Sequence, residues 1–121
     1  MIEVERLLYE LQVLSCSGYG YILTCEAVKL RLAYGEDREP SLKELQQEIC
    51  KRYPCSYSSF RKAIERISML AWKQNRQQIN QYAHCELEKA PTAKEFIEIL
   101  YTYLLRNREQ ECMHNGAREG D

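Results

Sequence analysis

The sequence has few of the residues on which several classes of protein depend. Two histidines, three prolines and five glycines stand among 121 residues, and the glycines form no phosphate-binding loop. No apolar run approaches the ~20 residues that a membrane-spanning helix needs. The N-terminus carries acidic residues where a secretory signal peptide would be basic. We therefore expect a cytoplasmic protein, and we expect no enzyme activity.

The six cysteines do not have the spacing of a metal or redox motif, since none belongs to a CxxC pair. In a cytosolic, helix-rich chain we expect them to be reduced and to fill small apolar spaces. His84-Cys85 and Cys112-Met113-His114 offer ligand atoms, but zinc sites usually combine two closely spaced pairs. We expect no metal, no cofactor and no small-molecule ligand.

The apolar spacing predicts an all-α fold of about six helices in one domain over residues 1–106. The predicted helices lie within residues 2–14, 19–34, 41–53, 57–72, 73–81 and 92–106. Thr92 and Glu95 have the spacing of a capping box at the last of them. Residues 107–121 lack periodicity and are predicted to be disordered. The expected core positions of the first two helices are Val4, Leu7, Leu8, Leu11, Leu14, Ile22, Leu23, Val28 and Leu32.

The stretch from Ser41 to Trp72 predicts two amphipathic helices joined by a tight turn. Ser41 and Glu44 form a capping-box pattern, Pro54 cannot donate to the preceding helix, and Ser56 is a favourable N-cap for the next. Leu42, Leu45, Ile49 and Tyr53 make the apolar stripe of the first helix, and Phe60, Ala63, Ile64, Ile67 and Ala71 that of the second. This arrangement fits a helix-turn-helix, and it also fits an ordinary helical hairpin with a solvated, positive face.

The charges of the chain are segregated. Residues 51–76 contain seven basic side chains and one acidic one, so this segment carries +6 and the rest −7 of the net charge of −1. Such clustering attracts phosphate. Candidate contacts to base edges are Ser58, Ser59, Lys62, Glu65 and Arg66. Candidate contacts to phosphates are Lys51, Ser56, Arg61, Lys73 and Arg76.

Three motifs of the chain, in order, resemble the C-terminal effector domain of the stage-zero sporulation response regulators. Gly18-Tyr19-Gly20-Tyr21 is similar to the family's GYxY, and residues 91–97 are similar to its PTxxEFI. The stretch between them aligns without a gap at Lys43, Leu45, Ile49, Lys51, Arg52, Tyr53, Ser58, Ala63, Ile64, Ala71 and Trp72. The resemblance implies a winged-helix-like scaffold without a clear β wing.

The resemblance also implies sequence-specific binding to double-stranded DNA, transcriptional regulation in sporulation, and pairing as a homodimer or in tandem on DNA. The apolar stripe of the last helix is wide enough for such an interface, with candidates Phe96, Leu100, Tyr101 and Leu104. Ser59 and Glu65 replace basic residues of the family's recognition helix, so the target sequence does not carry over. The family's receiver domain has no counterpart in these residues. The alternative is a dimerising protein-interaction module that has lost DNA reading and modulates another regulator.

Overall fold

The computed structural model describes the backbone of residues 2–14 and 18–120 and the side chains of residues 3–14 and 18–108. Its five helices are α1 (Ile2–Glu10), α2 (Tyr19–Tyr34), α3 (Leu42–Ile49), α4 (Tyr57–Ala83) and α5 (Ala93–Gly120). The described residues contain no strand, which confirms the all-α prediction. The count of five differs from the predicted six because the segments predicted over 57–72 and 73–81 are joined in α4.

Asn75 marks the junction of these two segments within α4. Its backbone is non-helical, with φ −155° and ψ 64°. Its side-chain Nδ2 donates to the backbone carbonyl oxygen of Glu10 at 3.1 Å, and its Oδ1 accepts from the Gln78 backbone N–H at 3.4 Å. The side chain thus caps the second segment while it holds the end of α1, and the helix bends there for an identifiable reason.

Helix α2 lies at the centre of the fold and packs against all four other helices. Its boundaries are those that the sequence predicts. Several of the buried positions of α2 are small or polar. The buried residues are Gly20, Leu23, Thr24, Cys25, Ala27, Val28 and Arg31. Small residues let the neighbouring helices approach closely, which is why one helix can contact four.

Two predicted core residues lie at the surface instead. Leu14 is 54% exposed because α1 ends at Glu10 and the chain then turns through Gln12, whose φ is 65°. Val13 takes the buried place that was predicted for Leu14. Ile22 is 40% exposed because Thr24 and Ala27 occupy the core face of α2. Apolar residues surround most of this helix, so periodicity alone does not identify its buried side.

Arg31 connects α2 to α5 from within the core, where only 4% of the residue is exposed. Its Nε donates to Glu98 Oε2 at 2.7 Å, and its Nη1 donates to the Gly35 carbonyl oxygen at 2.7 Å. The guanidinium also stacks 3.9 Å from the centre of the Tyr101 ring. A buried charge is tolerated when its donors are satisfied in this way.

The last helix begins where the sequence predicts. Glu95 N–H donates to Thr92 Oγ1 at 3.2 Å and Thr92 N–H donates to Glu95 Oε1 at 2.9 Å, which is the predicted capping box. The backbone of α5 is helical to Gly120, and Asp121 lies outside the described residues. The domain boundary at residue 106 and the disorder of residues 107–121 stay predictions.

Candidate nucleic-acid interface

The segment α3–turn–α4 forms locally from the signals that the sequence carries. At the start of α3, Glu44 N–H donates to Ser41 Oγ at 3.1 Å and Ser41 N–H donates to Glu44 Oε1 at 3.0 Å. Leu42, Leu45 and Ile49 are buried as predicted, whereas α3 ends at Ile49 and Tyr53, the fourth predicted member of the stripe, lies partly buried in the turn. The chain then leaves α3 at Cys50 and reaches α4 within residues 50–56.

Ser56 is the N-cap of α4, as predicted. Its Oγ accepts a hydrogen bond from Ser59 N–H at 3.1 Å and donates to Ser59 Oγ at 3.1 Å. The Ser56 hydroxyl therefore already serves the helix start, although it was predicted as a phosphate contact. Three further backbone N–H groups of a first helical turn remain available to an anion.

The inner face of α4 is fixed in the core. Phe60, Ile64, Ile67 and Ala71 are buried, as the sequence predicts, and Ala63, the fifth predicted member of the stripe, is partly buried. Gly20 of α2 lies so close that a Cβ atom there would be 2.7 Å from the Ala63 carbonyl oxygen. Contacts shorter than about 3 Å do not occur for real Cβ atoms, so glycine allows this approach of α2 to α4.

A second anchor holds the middle of α4. The buried Ser68 hydroxyl donates to the Pro91 carbonyl oxygen, 2.7 Å away, just ahead of α5. Trp72, one turn later, is partly buried against the core, as predicted. With its inner face held by α2 and by the approach to α5, α4 presents its opposite face to solvent.

The residues predicted to face base edges lie along this outer face. Ser58, Ser59, Lys62 and Arg66 are exposed, and Glu65 is partly exposed. Among the residues with described side chains, Lys62 makes no ion pair. Arg66 Nη2 would lie 3.6 Å from a Cβ atom at Gly18, so this guanidinium lies against the start of α2. The structure thus brings all five residues to one side of the molecule but leaves them in different environments.

Glu65 is paired with Arg61, which was predicted to contact phosphate. Arg61 Nη1 lies 2.9 Å from Glu65 Oε1, one helical turn away, and both side chains are more than a third exposed. Exposed pairs of this kind contribute about 0–1 kcal/mol. The pair neutralises charge on the outer face, yet Arg61 can exchange Glu65 for another anion at little cost.

The other predicted phosphate contacts are exposed. Lys51 Nζ lies 3.1 Å from Glu48 Oε2. Lys73 makes no ion pair with any residue whose side chain is described. The Arg76 guanidinium lies 5.4 Å from the centre of the Trp72 ring. All three remain accessible to an anionic surface.

The turn between α3 and α4 contains contacts that sequence reasoning missed. Cys50 Sγ and Cys55 Sγ are 2.8 Å apart. Tyr19, at the start of α2, packs edge-on against Tyr53 with 6.1 Å between ring centres. Arg52 Nη2 lies 3.3 Å from Glu26 Oε1 of α2. The GYxY-like motif thus supports the turn, a role that only the tertiary structure reveals.

The four residues predicted for a dimer interface lie inside the chain. Phe96, Leu100, Tyr101 and Leu104 are all buried, at 0–5% exposure. The wide apolar stripe of α5 contacts α1, α2 and α4 of the same molecule, which accounts for its width. A dimer that used these side chains would have to open the core, which would cost folding free energy. Pairing through them stays a prediction.

The described part of the chain contains no cluster of three or more metal-ligating side chains. The side chains of Cys112 and His114 lie outside the described residues. No described helix combines the length and the apolar character that crossing a bilayer requires.

Comparison with known proteins assigns a family. A family model described as "Sporulation initiation factor Spo0A C terminal" matches residues 4–104, which is most of the chain. Comparisons with curated proteins and with solved structures give no significant match. The three motifs, the all-helical fold and this match agree, and the chain belongs to the family of the C-terminal, DNA-binding regulatory domain of the sporulation initiation factor Spo0A.

Proposed function

We propose that this protein binds duplex DNA sequence-specifically and regulates transcription, with α3, the turn and the first half of α4 acting as a helix-turn-helix. The observation that supports this proposal is the contrast between the two faces of α4. Phe60 and Ile64 are buried, while Ser58, Ser59 and Lys62 project from the same two turns into solvent. A helix held in this way can enter a major groove without rearrangement.

The side chains have different roles in this proposal. Lys62 reads guanine O6 and N7, and the serine hydroxyls of α4 contact either base edges or phosphate. Lys51, Lys73 and Arg76 contact phosphates, and Arg61 joins them by exchanging Glu65 for a phosphate oxygen. Because Ser56 already caps α4, the phosphate near it meets backbone N–H groups rather than this hydroxyl.

Pairing on adjacent half-sites is part of the proposal and needs a surface other than the buried stripe of α5. Exposed apolar residues such as Tyr9 and Met69, at 72% and 45% exposure, are available for it. Sedimentation velocity with and without a two-site duplex tests the pairing. A second protein on the duplex with a monomer in free solution would indicate tandem binding, whereas one protein per duplex would contradict the pairing.

The alternative function is a protein-interaction module. Its specific support is the Arg61–Glu65 pair, which lowers the positive charge of the outer face, together with Ser59 in place of a basic family residue. These features weaken DNA reading, but Lys62 and Lys73 remain exposed. The DNA-binding proposal therefore accounts for more of this surface.

The test is fluorescence anisotropy with a duplex selected from a random library, comparing wild type with Lys62→Ala. We expect the variant to lose about tenfold in affinity for the selected duplex and less for mixed-sequence DNA, since a base contact is worth about 1–3 kcal/mol. Lys89→Ala is the matched control, because Lys89 is also an exposed lysine but lies in the loop before α5.

Two results would contradict the proposal. One is a folded wild-type protein that binds no duplex at low salt, which would favour the interaction module. The other is equal loss of affinity in Lys62→Ala and Lys89→Ala, which would mean that the outer face of α4 has no special role.

Removing Lys73 should also lower the slope of log affinity against log salt concentration by about one.

A further inference from the structure

The turn before α4 holds two thiols in direct contact. Cys50 Sγ and Cys55 Sγ are 2.8 Å apart, and both side chains are partly exposed. The sulfurs need to approach by only about 0.8 Å to reach the disulfide bond length of about 2.05 Å. The other described cysteines are not paired in this way. Cys25 is buried, Cys85 is exposed in a loop, and neither contacts another described cysteine.

The two thiols are attached to parts of the turn with unequal freedom. Cys50 is the C-cap of α3, where its N–H donates to the Gln46 carbonyl oxygen at 2.8 Å. Cys55 is held to α3 by one hydrogen bond, from Gln46 Nε2 to the Cys55 carbonyl oxygen at 3.0 Å. Because the helix end resists movement more than the turn, closing the sulfur–sulfur distance displaces Cys55 and the residue that follows it.

That following residue is Ser56, the N-cap of α4. Its hydroxyl holds the first turn through Ser59. A shift of Cys55 therefore changes the position of the serines that begin the outer face of α4.

We propose that Cys50 and Cys55 form a redox-sensitive modification site, in which a low-molecular-weight disulfide oxidises the pair and the new bond repositions the first turn of α4. The thiolate of one cysteine attacks one sulfur of the oxidant and releases the first small thiolate, which leaves a mixed disulfide. The thiolate of the other cysteine then attacks the protein sulfur of this mixed disulfide and releases the second small thiolate. The two protein thiols lose two electrons, the oxidant gains them, and the two thiol protons pass to the two released thiolates.

Burial, followed by the contact with Cys50, raises the pKa of the Cys55 thiol to about 11. Either sulfur can be the donor in the contact between the two thiols. The exchange can begin at either cysteine, and both orders of attack give the same disulfide.

Tryptic mapping tests bond formation directly, because Lys51 and Arg52 lie between the two cysteines. The full chain is equilibrated with oxidised glutathione and alkylated, then digested without reduction. We expect the peptides 44–51 and 53–61 to appear as one cross-linked species, and dithiothreitol to separate them. Absence of this species, or an equal yield of pairs that include Cys85, would overturn the proposal.

Backbone amide NMR shifts test the conformational part without DNA. Oxidation should move the signals of residues 56–60 and leave those of residues 93–97, at the start of α5, in place. Cys55→Ser treated with the same oxidant is the control and should show neither change. A cross-linked protein whose signals at 56–60 do not move would overturn the repositioning.

The consequence for DNA rests on the proposed function and is measured separately. We expect the oxidised protein to bind the selected duplex about tenfold more weakly, as for the loss of one base contact. If neither the reduced nor the oxidised protein binds DNA, the proposed function fails, and the peptide map and the amide shifts still decide the redox site. Equal affinity of both forms for DNA would overturn its link to DNA reading.

Discussion

Two arginine–glutamate pairs in this molecule have similar geometry and opposite consequences. Arg31 and Glu98 are 2.7 Å apart between α2 and α5, with the arginine side chain 5% exposed. Arg61 and Glu65 are 2.9 Å apart on one face of α4, with 38% and 34% of their side chains exposed. Burial separates them: the Arg31 guanidinium is enclosed, whereas both partners of the second pair are open to water and phosphate. Removing the arginine of the first pair leaves buried groups without a donor, whereas the charges of the second pair remain available for binding.

The largest expected effect comes from breaking the buried pair with Arg31→Ala. This change leaves the Gly35 carbonyl oxygen without its side-chain donor, leaves Glu98 with Lys94 as its remaining partner, and removes the group stacked on Tyr101. We expect a loss of about 3 kcal/mol in the free energy of unfolding, measured by urea denaturation followed by circular dichroism.

The control for this variant is Arg38→Ala. Arg38 is exposed and pairs with Glu44 beside Tyr34, so we expect a loss below about 1 kcal/mol. Similar losses for both variants would show that burial does not separate the two kinds of pair.

The next effect concerns the distance between the central helix and α4. Gly20→Ala places a methyl group 2.7 Å from the Ala63 carbonyl oxygen, so α4 must move. We expect a loss of about 1–3 kcal/mol in stability together with weaker DNA binding in anisotropy.

Gly35→Ala is the matched control for Gly20→Ala. Gly35 has φ 77° and ψ −163° and open space around it, so an alanine there costs about 1–3 kcal/mol of backbone strain. This strain should leave DNA affinity unchanged. If both variants bind DNA like wild type, the approach of α2 to α4 does not position the reading segment.

A smaller effect is expected when the exposed pair is broken by Glu65→Gln. Stability should change by less than about 0.5 kcal/mol. DNA affinity should rise about two- to fivefold, because Arg61 is released and one negative charge leaves the outer face. Anisotropy and thermal denaturation on the same samples measure both.

Glu86→Gln removes a carboxylate from the distant loop before α5 and serves as the control for Glu65→Gln. It should change neither stability nor affinity. If Glu65→Gln behaves in the same way, Arg61 does not meet phosphate.

The smallest effect concerns the pH dependence of a partly exposed carboxylate, that of Glu44. The backbone N–H of Ser41, and then Arg38, lower the pKa of Glu44 below its usual 4.5. A lowered folded-state pKa contributes stability above the unfolded value, and that stability is lost as the pH falls through the folded value. Glu44→Gln should therefore flatten the acid side of the stability curve below about pH 4.5, as denaturation at several pH values can measure. An unchanged curve would mean that the capping box contributes no pH dependence.

The features that the sequence predicted well have local causes. Both capping boxes, the Ser56 N-cap, the limits of α2 and the buried stripes of α3 and α4 depend on residues within one or two turns of each other. Side-chain patterns at such short range identify them without any knowledge of the tertiary fold.

The features that were missed depend on neighbours far along the chain. Arg31 reads as a surface charge until Glu98 and Tyr101 are placed beside it, 67 residues away in the case of Glu98. The resemblance implied dimerisation, and the apolar stripe of α5 was assigned to it because the three helices that cover this stripe cannot be counted from its own sequence. In the candidate site, the positions on α4 followed from helical spacing, but the ion pair of Glu65, the contact of Arg66 with α2 and the thiol pair required the structure.

The support of α4 from one side has an evolutionary consequence. Phe60, Ile64, Ile67 and Ala71 fix the helix, whereas Ser58 and Lys62 are exposed to solvent on its outer face. Substitutions at these outer positions can therefore accumulate by neutral drift until one of them meets a useful target. A domain built in this way can acquire a new operator without passing through an unstable intermediate.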